Sequence, residues 1–277
     1  MRESGILMHI TSLPAPYGIG TMGKDAYAFV DFLVRAGQRY WQILPLTPTG
    51  YGDSPYQSLG ACAGNHYLID LDRLADEGLL KKEEIQNIPW GSNPARVDFG
   101  AMYAHRMNVL RQAFQRFAPD EAYETFVEQN RSWLEDYALF TALKDTLGGK
   151  PWLEWPEALR LRKADALTEK RRELSDEIRL QYFVQYEFDR QWKALRSYAN
   201  AKGVRIIGDV PIYVPLDSAD VWANPELFQL DESRHPEQVA GCPPDSFTAD
   251  GQLWGNPIYD WKKMAQTHYF WWIQRLT

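Results

Sequence analysis

The sequence predicts an α/β fold with a parallel sheet of about three main strands, interrupted by a large helical insertion. Three observations carry this. Short apolar runs at 5–10, 40–44 and 204–208 read as buried strands. A helix-patterned segment separates the first two, giving strand, helix, strand, the order of a right-handed parallel crossover. Between about Leu79 and Lys202 the chain turns charged and helical.

Each element has its own signal. Gly5-Ile6-Leu7-Met8-His9-Ile10 is the first strand, followed by a loop over 11–21. Ala26, Phe29, Val30, Leu33 and Val34 then recur at helical spacing, with Gly37 as the stop. Tyr40 to Leu44 is the second strand, ended by Pro45. The loop Thr47–Gln57 is too rich in Gly and Pro for continuous structure, and Tyr67–Leu71 reads as a further short strand. In the insertion, Trp133, Tyr137, Phe140 and Leu147 mark a helix closed by Gly148-Gly149. Leu180, Val184, Phe188, Trp192 and Leu195 mark a longer one, closed by Gly203. After the third strand the chain is loop-rich to about Trp261, and 262–277 reads as one apolar helix in need of a partner surface. The expected division is 1–78 (first strand–helix units and a loop), 79–202 (helical insertion) and 203–277 (third strand, a shaped loop and a helix).

Bulk properties exclude several functions. A net charge of −7 over 277 residues offers no basic face for nucleic acid. No apolar stretch approaches the ~18 residues of a membrane span. The N-terminus shows no cleavable leader pattern. Cys62 and Cys242 lie far apart, which fits a reduced, cytoplasmic protein better than a disulfide scaffold. The five histidines have no metal-ligand spacing, so no metal is expected. Neither of the common nucleotide-binding glycine patterns occurs, so nucleotide binding has no support.

What remains points to sugars. Eleven Trp is roughly threefold ordinary usage. Those in helical register read as core, and those in Gly/Pro/Asn loops as stacking faces. Asp209, in Gly208-Asp209-Val210-Pro211, sits at the C-terminal mouth of a strand, where parallel α/β folds keep their sites. It reads either as a cap or as a carboxylate holding sugar hydroxyls. Tyr56, in Asp53-Ser54-Pro55-Tyr56, offers a stacking face and a hydroxyl, or simply packs under its loop. Gln252, Trp254 and Asn256 supply one indole and two amides, the groups a neutral polyol needs. His9 ends the first strand and would share the mouth with Asp209, although a satisfied buried histidine is the stronger reading. Tyr51 is expected on an outer surface.

Taken together, several blocks resemble the amylomaltase family, the 4-α-glucanotransferases or disproportionating enzymes of the α-amylase clan. They are Ser4-Gly5-Ile6-Leu7 with Thr11-Ser12-Leu13-Pro14, then Tyr40 to Leu46 and Pro48 to Gln57. Ala63-Gly64-Asn65, Gly208 to Ile212 and Gly241 to Pro257 come next, in the family's order. His66, Cys62, Cys242 and Ser246 depart from the family's usual residues.

The resemblance implies that the chain is the N-terminal portion of a (β/α)8 TIM-type barrel. It also implies transfer of α-1,4-glucan segments between maltooligosaccharides by a retaining double displacement, without a cofactor. Tyr56 and Asp209 would contact the donor sugar, Gly241–Trp254 would close over the site, and Tyr51 would belong to a secondary glucan groove. The family's nucleophile lies in an Arg-x-Asp-His-Phe-Arg-like block expected just past Thr277, with the acid/base Glu later. The chain by itself is therefore expected to be catalytically inactive. Rival readings are a glucan-binding fragment and an α-glucan hydrolase of the same clan.

Overall fold

The computed structural model describes every residue except Met1, Tyr51, Pro94, Phe247 and Thr277. In chain order the first elements are β1 (Gly5–Leu7), α1 (Lys24–Arg35), β2 (Tyr40–Gln42), α2 (Leu71–Asp76), α3 (Lys82–Gln86) and α4 (Phe99–Phe114). Next come α5 (Glu121–Thr146), α6 (Glu157–Arg160), α7 (Ala164–Glu173), α8 (Ser175–Ala201) and β3 (Arg205–Ile207). The remainder is α9 (Ala219–Ala223), β4 (Val239–Cys242), β5 (Gln252–Pro257), α10 (Trp261–Gln266) and α11 (Phe270–Leu276). They form two compact units. The first comprises Met1–Pro48, Gly64–Asn130 and Tyr182–Val210; the second comprises Thr49–Ala63, Arg131–Gln181 and Pro211–Thr277.

The first unit is built on a parallel sheet in the order β1-β2-β3. Its rows run Ile6–Trp41–Ile206 and Leu7–Gln42–Ile207. Side chains alternate across a sheet, so these rows face opposite ways. Trp41 is fully buried, with the Phe29 ring of α1 edge-on at 5.1 Å. The other face stays open, with Leu7 56% and Ile207 42% exposed. The expected buried strands are thus shorter and barer than their composition suggests. Met8 and His9 leave the ladder for a 3-10 turn over Ile10–Ser12, and no covering element lies over Leu7 and Ile207 among the described residues.

The segment 64–70 is not a strand. Asn65 Oδ1 accepts the Tyr67 N–H at 2.9 Å and starts a 3-10 turn over His66–Leu68. Asp70 Oδ1 accepts the Arg73 N–H at 3.0 Å and caps α2. Two capping residues outweigh the apolar run between them. This segment is clamped by α8. Gln185 accepts the Gly64 N–H at 2.7 Å and donates to the Gly64 carbonyl at 3.0 Å. Gln191 treats Asp70 the same way, at 2.7 and 3.4 Å. A Cβ at Gly64 would overlap the Phe188 ring, so only glycine allows α8 this close. The fully buried Arg106 adds bonds to the carbonyls of Tyr67 (2.6 Å) and Ile69 (2.7 Å).

The second unit has an aromatic core. Trp222 packs on Phe140 and Trp155 at 5.8 and 5.6 Å, lies under the Arg162 guanidinium at 4.2 Å, and donates Nε1–H to the Leu159 carbonyl. Tyr259 is ringed by Tyr213, Phe228, Trp261, Trp271 and Trp272, and its hydroxyl donates to the Ile212 carbonyl at 2.8 Å. The expected single C-terminal helix is two. His268 and Tyr269 take left-handed backbone (φ 51° and 57°) and separate α10 from α11. The stretch expected to be loop up to Trp261 contains α9 and an antiparallel hairpin of β4 and β5.

Candidate functional site

In the first unit, the site residues are set by the ends of parallel strands. His9 lies two residues past Leu7 and Asp209 two past Ile207, and both strand ends are in register with Gln42 of β2. Both residues therefore leave the same, C-terminal end of the sheet, on its two outer strands. Trp41 Nε1–H donates to the Met8 carbonyl at 2.7 Å and fixes the turn that presents His9. Burial lowers the His9 pKa to about 4, and its Nδ1 has no hydrogen-bond partner. The imidazole is thus neutral at ordinary pH; the residue is half-buried, and its bare Nδ1 departs from the expectation of a satisfied buried histidine. Asp209 is half-buried.

In the second unit, the loop carrying Tyr56 is pinched shut. Thr49 bridges Ser58, and the Gly50 N–H donates to the Gln57 carbonyl at 2.9 Å. Inside it Gly52 and Asp53 adopt left-handed backbone (φ 89° and 57°), and the Asp53 N–H returns to the Gly50 carbonyl. The Tyr56 N–H rests on Ser54 Oγ at 3.3 Å, and its ring is 43% exposed. A tyrosine held this way on a closed loop can present a flat face to a ligand. Tyr51 lies outside the described residues.

The remaining candidates stand on the hairpin. Gly241 faces Leu253, and a Cβ on it would overlap the Gln252 carbonyl. At the turn the Thr248 N–H donates to Asp245 Oδ1 at 2.9 Å, and Gly251 is left-handed (φ 72°). On β5, Gln252 and Trp254 share a face by strand alternation. Trp254 Nε1–H donates to Gln252 Oε1 at 2.9 Å, which fixes the indole and leaves the glutamine's NH2 as a donor beside it. The indole is 44% exposed and lies 6.3 Å from Tyr213, which stacks on Tyr259 at 5.8 Å and 10°. Asn256 is buried, 4% exposed, so its amide belongs to the unit's interior rather than to the hairpin surface.

Gln252 and Trp254 are therefore brought together, and His9 and Asp209 share one sheet end. Sequence reasoning misses Tyr213. It is an aromatic in a Pro-containing loop, the same criterion that singles out Trp254. Among the described residues, no group of three or more His, Cys, Asp and Glu is placed to hold a metal ion.

A parallel sheet with a carboxylate at its C-terminal mouth, and an antiparallel hairpin bearing an indole–amide pair, define a protein of the parallel α/β class. Comparison with known proteins narrows the class. Residues 8–277 match the family model described as 4-alpha-glucanotransferase. The chain is 50% identical over 279 residues to a 4-alpha-glucanotransferase of Streptococcus pneumoniae, covering 99% of this chain and 55% of that protein. It is 48% identical over 272 residues to one from Clostridium butyricum (97% and 56%). The structure superposes with a TM-score of 0.95 on the amylomaltase from Streptococcus agalactiae solved with acarbose, at 48% identity, covering 99% of this chain and 56% of that one.

The chain belongs to the 4-alpha-glucanotransferase family. It spans about half the length of the relatives it matches. Its fold is that of the N-terminal part of an amylomaltase, three parallel strands of a TIM-type barrel with a large helical insertion.

Proposed function

We propose that this chain supplies the donor-glucan contacts of a 4-alpha-glucanotransferase that moves α-1,4-glucan segments between maltooligosaccharides with retention of configuration. Family membership supports the reaction, and the observation that carries the binding role is the Gln252–Trp254 pair. The exposed indole is locked by a hydrogen bond to a neighbouring amide. A sugar ring lays its C–H face on the indole while its hydroxyls meet the Gln252 NH2. Tyr56 offers a second stacking face, and Asp209 accepts hydroxyl donors at the sheet mouth. Asn256, buried in the unit's interior, makes no direct sugar contact in this reading. His9, neutral, serves as a hydrogen-bonding wall of the mouth rather than as an acid.

A retaining displacement needs two carboxylates ~5 Å apart across the scissile bond. This reading assigns neither role to a residue of this chain, so the chain alone binds glucan without turning it over. The two free thiols, Cys62 and Cys242, suit a reducing cytoplasm.

The test is calorimetry with maltoheptaose beside a maltotriose disproportionation assay. The expected result is binding by the 277-residue chain, weakened at least tenfold in Trp254→Ala, with no lengthened products. Unchanged binding in Trp254→Ala removes the hairpin from the site. Longer oligosaccharides made by the chain alone would mean that the catalytic carboxylates lie within it, and shorter products alone would favour a hydrolase.

A further inference from the structure

The second unit holds Tyr213 more firmly than its place in a loop requires. The backbone just before it is pinned twice. The Ile212 carbonyl accepts the Tyr259 hydroxyl at 2.8 Å, and the Pro211 carbonyl accepts Arg275 Nη2–H at 2.6 Å. On the other side Val214 is buried, 3% exposed. The Tyr213 ring lies against the buried Tyr259 ring, 5.8 Å away and 10° from parallel. Backbone and ring are thus fixed before any ligand arrives, which removes much of the ordering cost of binding.

The polar end of Tyr213 is left open. Its hydroxyl makes no hydrogen bond among the described residues and is not sealed from solvent, whereas the Tyr259 hydroxyl is taken. A half-buried ring with a bare hydroxyl suits a ligand that is apolar on one face and hydroxylated at its edge. The Trp254 indole, 44% exposed, lies 6.3 Å away and is inclined 52° to the Tyr213 ring. Two aromatic faces at that angle make a bent surface. Successive rings of an α-1,4-linked glucan turn relative to one another, while a β-1,4-linked glucan runs as a flat ribbon. A flat chain rests on one ring or the other, and a curved chain can rest on both.

We propose that Tyr213 is a glucan contact that sets linkage preference. Its ring takes the sugar next to the one on Trp254, its hydroxyl bonds that sugar's hydroxyls, and the angle between the two rings favours the α-1,4 chain over the β-1,4 chain. This deepens the proposed function and rests on its reading of Trp254 as a sugar platform.

The test is calorimetry of the 277-residue chain with maltopentaose and cellopentaose, with the melting temperature measured alongside. Tyr213→Phe keeps the ring and its stack and removes only the open hydroxyl. It should weaken maltopentaose binding roughly threefold to tenfold, the worth of one hydrogen bond, at an unchanged melting temperature. Tyr213→Ala should weaken it further and narrow the preference for maltopentaose over cellopentaose. Unchanged affinity in Tyr213→Phe, an unchanged linkage preference in Tyr213→Ala, or no binding by the parent chain would each overturn the proposal. Weakening that appears only where the melting temperature also falls marks a packing role and overturns it too. Trp254→Ala separates the two readings. Binding weakened there but unchanged in Tyr213→Phe leaves the hairpin platform standing and removes Tyr213 from the site. Binding unchanged there but weakened in Tyr213→Phe sinks the platform and leaves Tyr213 as a contact in its own right.

Discussion

The two units solve the same burial problem with different chemistry. The first buries polar side chains. Gln185, Gln191, Arg106 and Glu187 are at most 5% exposed, and each serves a fixed backbone or charged partner. The second concentrates tryptophan, some of it buried (Trp152, Trp155 and Trp222) and some exposed (Trp254 and Trp261). Eight of the eleven tryptophans (133, 152, 155, 222, 254, 261, 271 and 272) belong to it, against three (41, 90 and 192) in the first. A buried amide is worth little unless its partner is in place, and leaving that partner bare is costly. Ring packing is less directional, and its contribution scales with area. The first unit should therefore be sensitive to single polar atoms and to pH, the second to lost volume.

The largest expected effect tests the aromatic side of this contrast. Trp222→Ala should cost about 3–5 kcal/mol, the range for deleting a fully buried aromatic. Urea unfolding followed by tryptophan fluorescence, which reports mainly the second unit, will show it as a lowered midpoint. A loss under about 1 kcal/mol would mean the cluster repacks instead of leaving the cavity such deletions leave.

Gln191→Leu probes the polar side. It removes little volume but strands the buried Asp70 N–H and carbonyl, at about 1–3 kcal/mol for each group left unsatisfied. Far-UV dichroism during heating should register the loss. If Gln191→Leu were as stable as the parent, the clamp would be incidental and the contrast between the units would fail.

A smaller effect comes from acid. Burial holds the pKa of His9 at about 4 and that of His66 at about 3, with the Arg106 charge also pushing His66 down. Both imidazoles are in the first unit. Unfolded, each takes up a proton near pH ~6.5. Their contribution is complete above that value and drains away as pH falls towards ~4, by up to ~1.4 kcal/mol per pH unit for each group. In the second unit Asp220 shifts the opposite way, its pKa raised by burial, so it adds no acid sensitivity. Stabilities measured at pH 7 and pH 5 should differ by up to about 4 kcal/mol, about 2 from each imidazole, and His9→Phe should halve the gap. An unchanged stability would show that these imidazoles are more open than their burial implies.

Much of this architecture is legible in the sequence, and the rest is hidden for identifiable reasons. The strand–helix–strand start is readable because α1 buries Ala26, Val30 and Leu33 at helical spacing and Gly37 turns left-handed after it (φ 69°). The two long helices and their glycine stops are readable for the same reason. Segment 67–71 misleads because apolar content does not distinguish a strand from a turn packed under a helix. The informative residues there are Asn65, which starts the 3-10 turn, and Asp70, which caps α2. The β4–β5 hairpin hides because the residues joining its strands (243–251) carry Asp and Gly signals that read equally as loop. Of the site, Asp209 is reached by strand-end logic and Trp254 by its Gly/Asn surroundings. The Trp254–Gln252 bond, the burial of Asn256 and the role of Tyr213 depend on pairing across the hairpin and between rings, which no one-dimensional pattern records.

The paired glutamines of α8 also carry a consequence in time. Gln185 and Gln191 each grip a backbone amide 121 positions away, at Gly64 and Asp70, so helix and segment run in step. Neither amide can meet solvent deuterium until its glutamine lets go, and one rigid helix holds both glutamines. Their exchange should be coupled: Gly64 and Asp70 become labelled at a common rate, set by the opening of α8 rather than by the motion of the segment in which they lie.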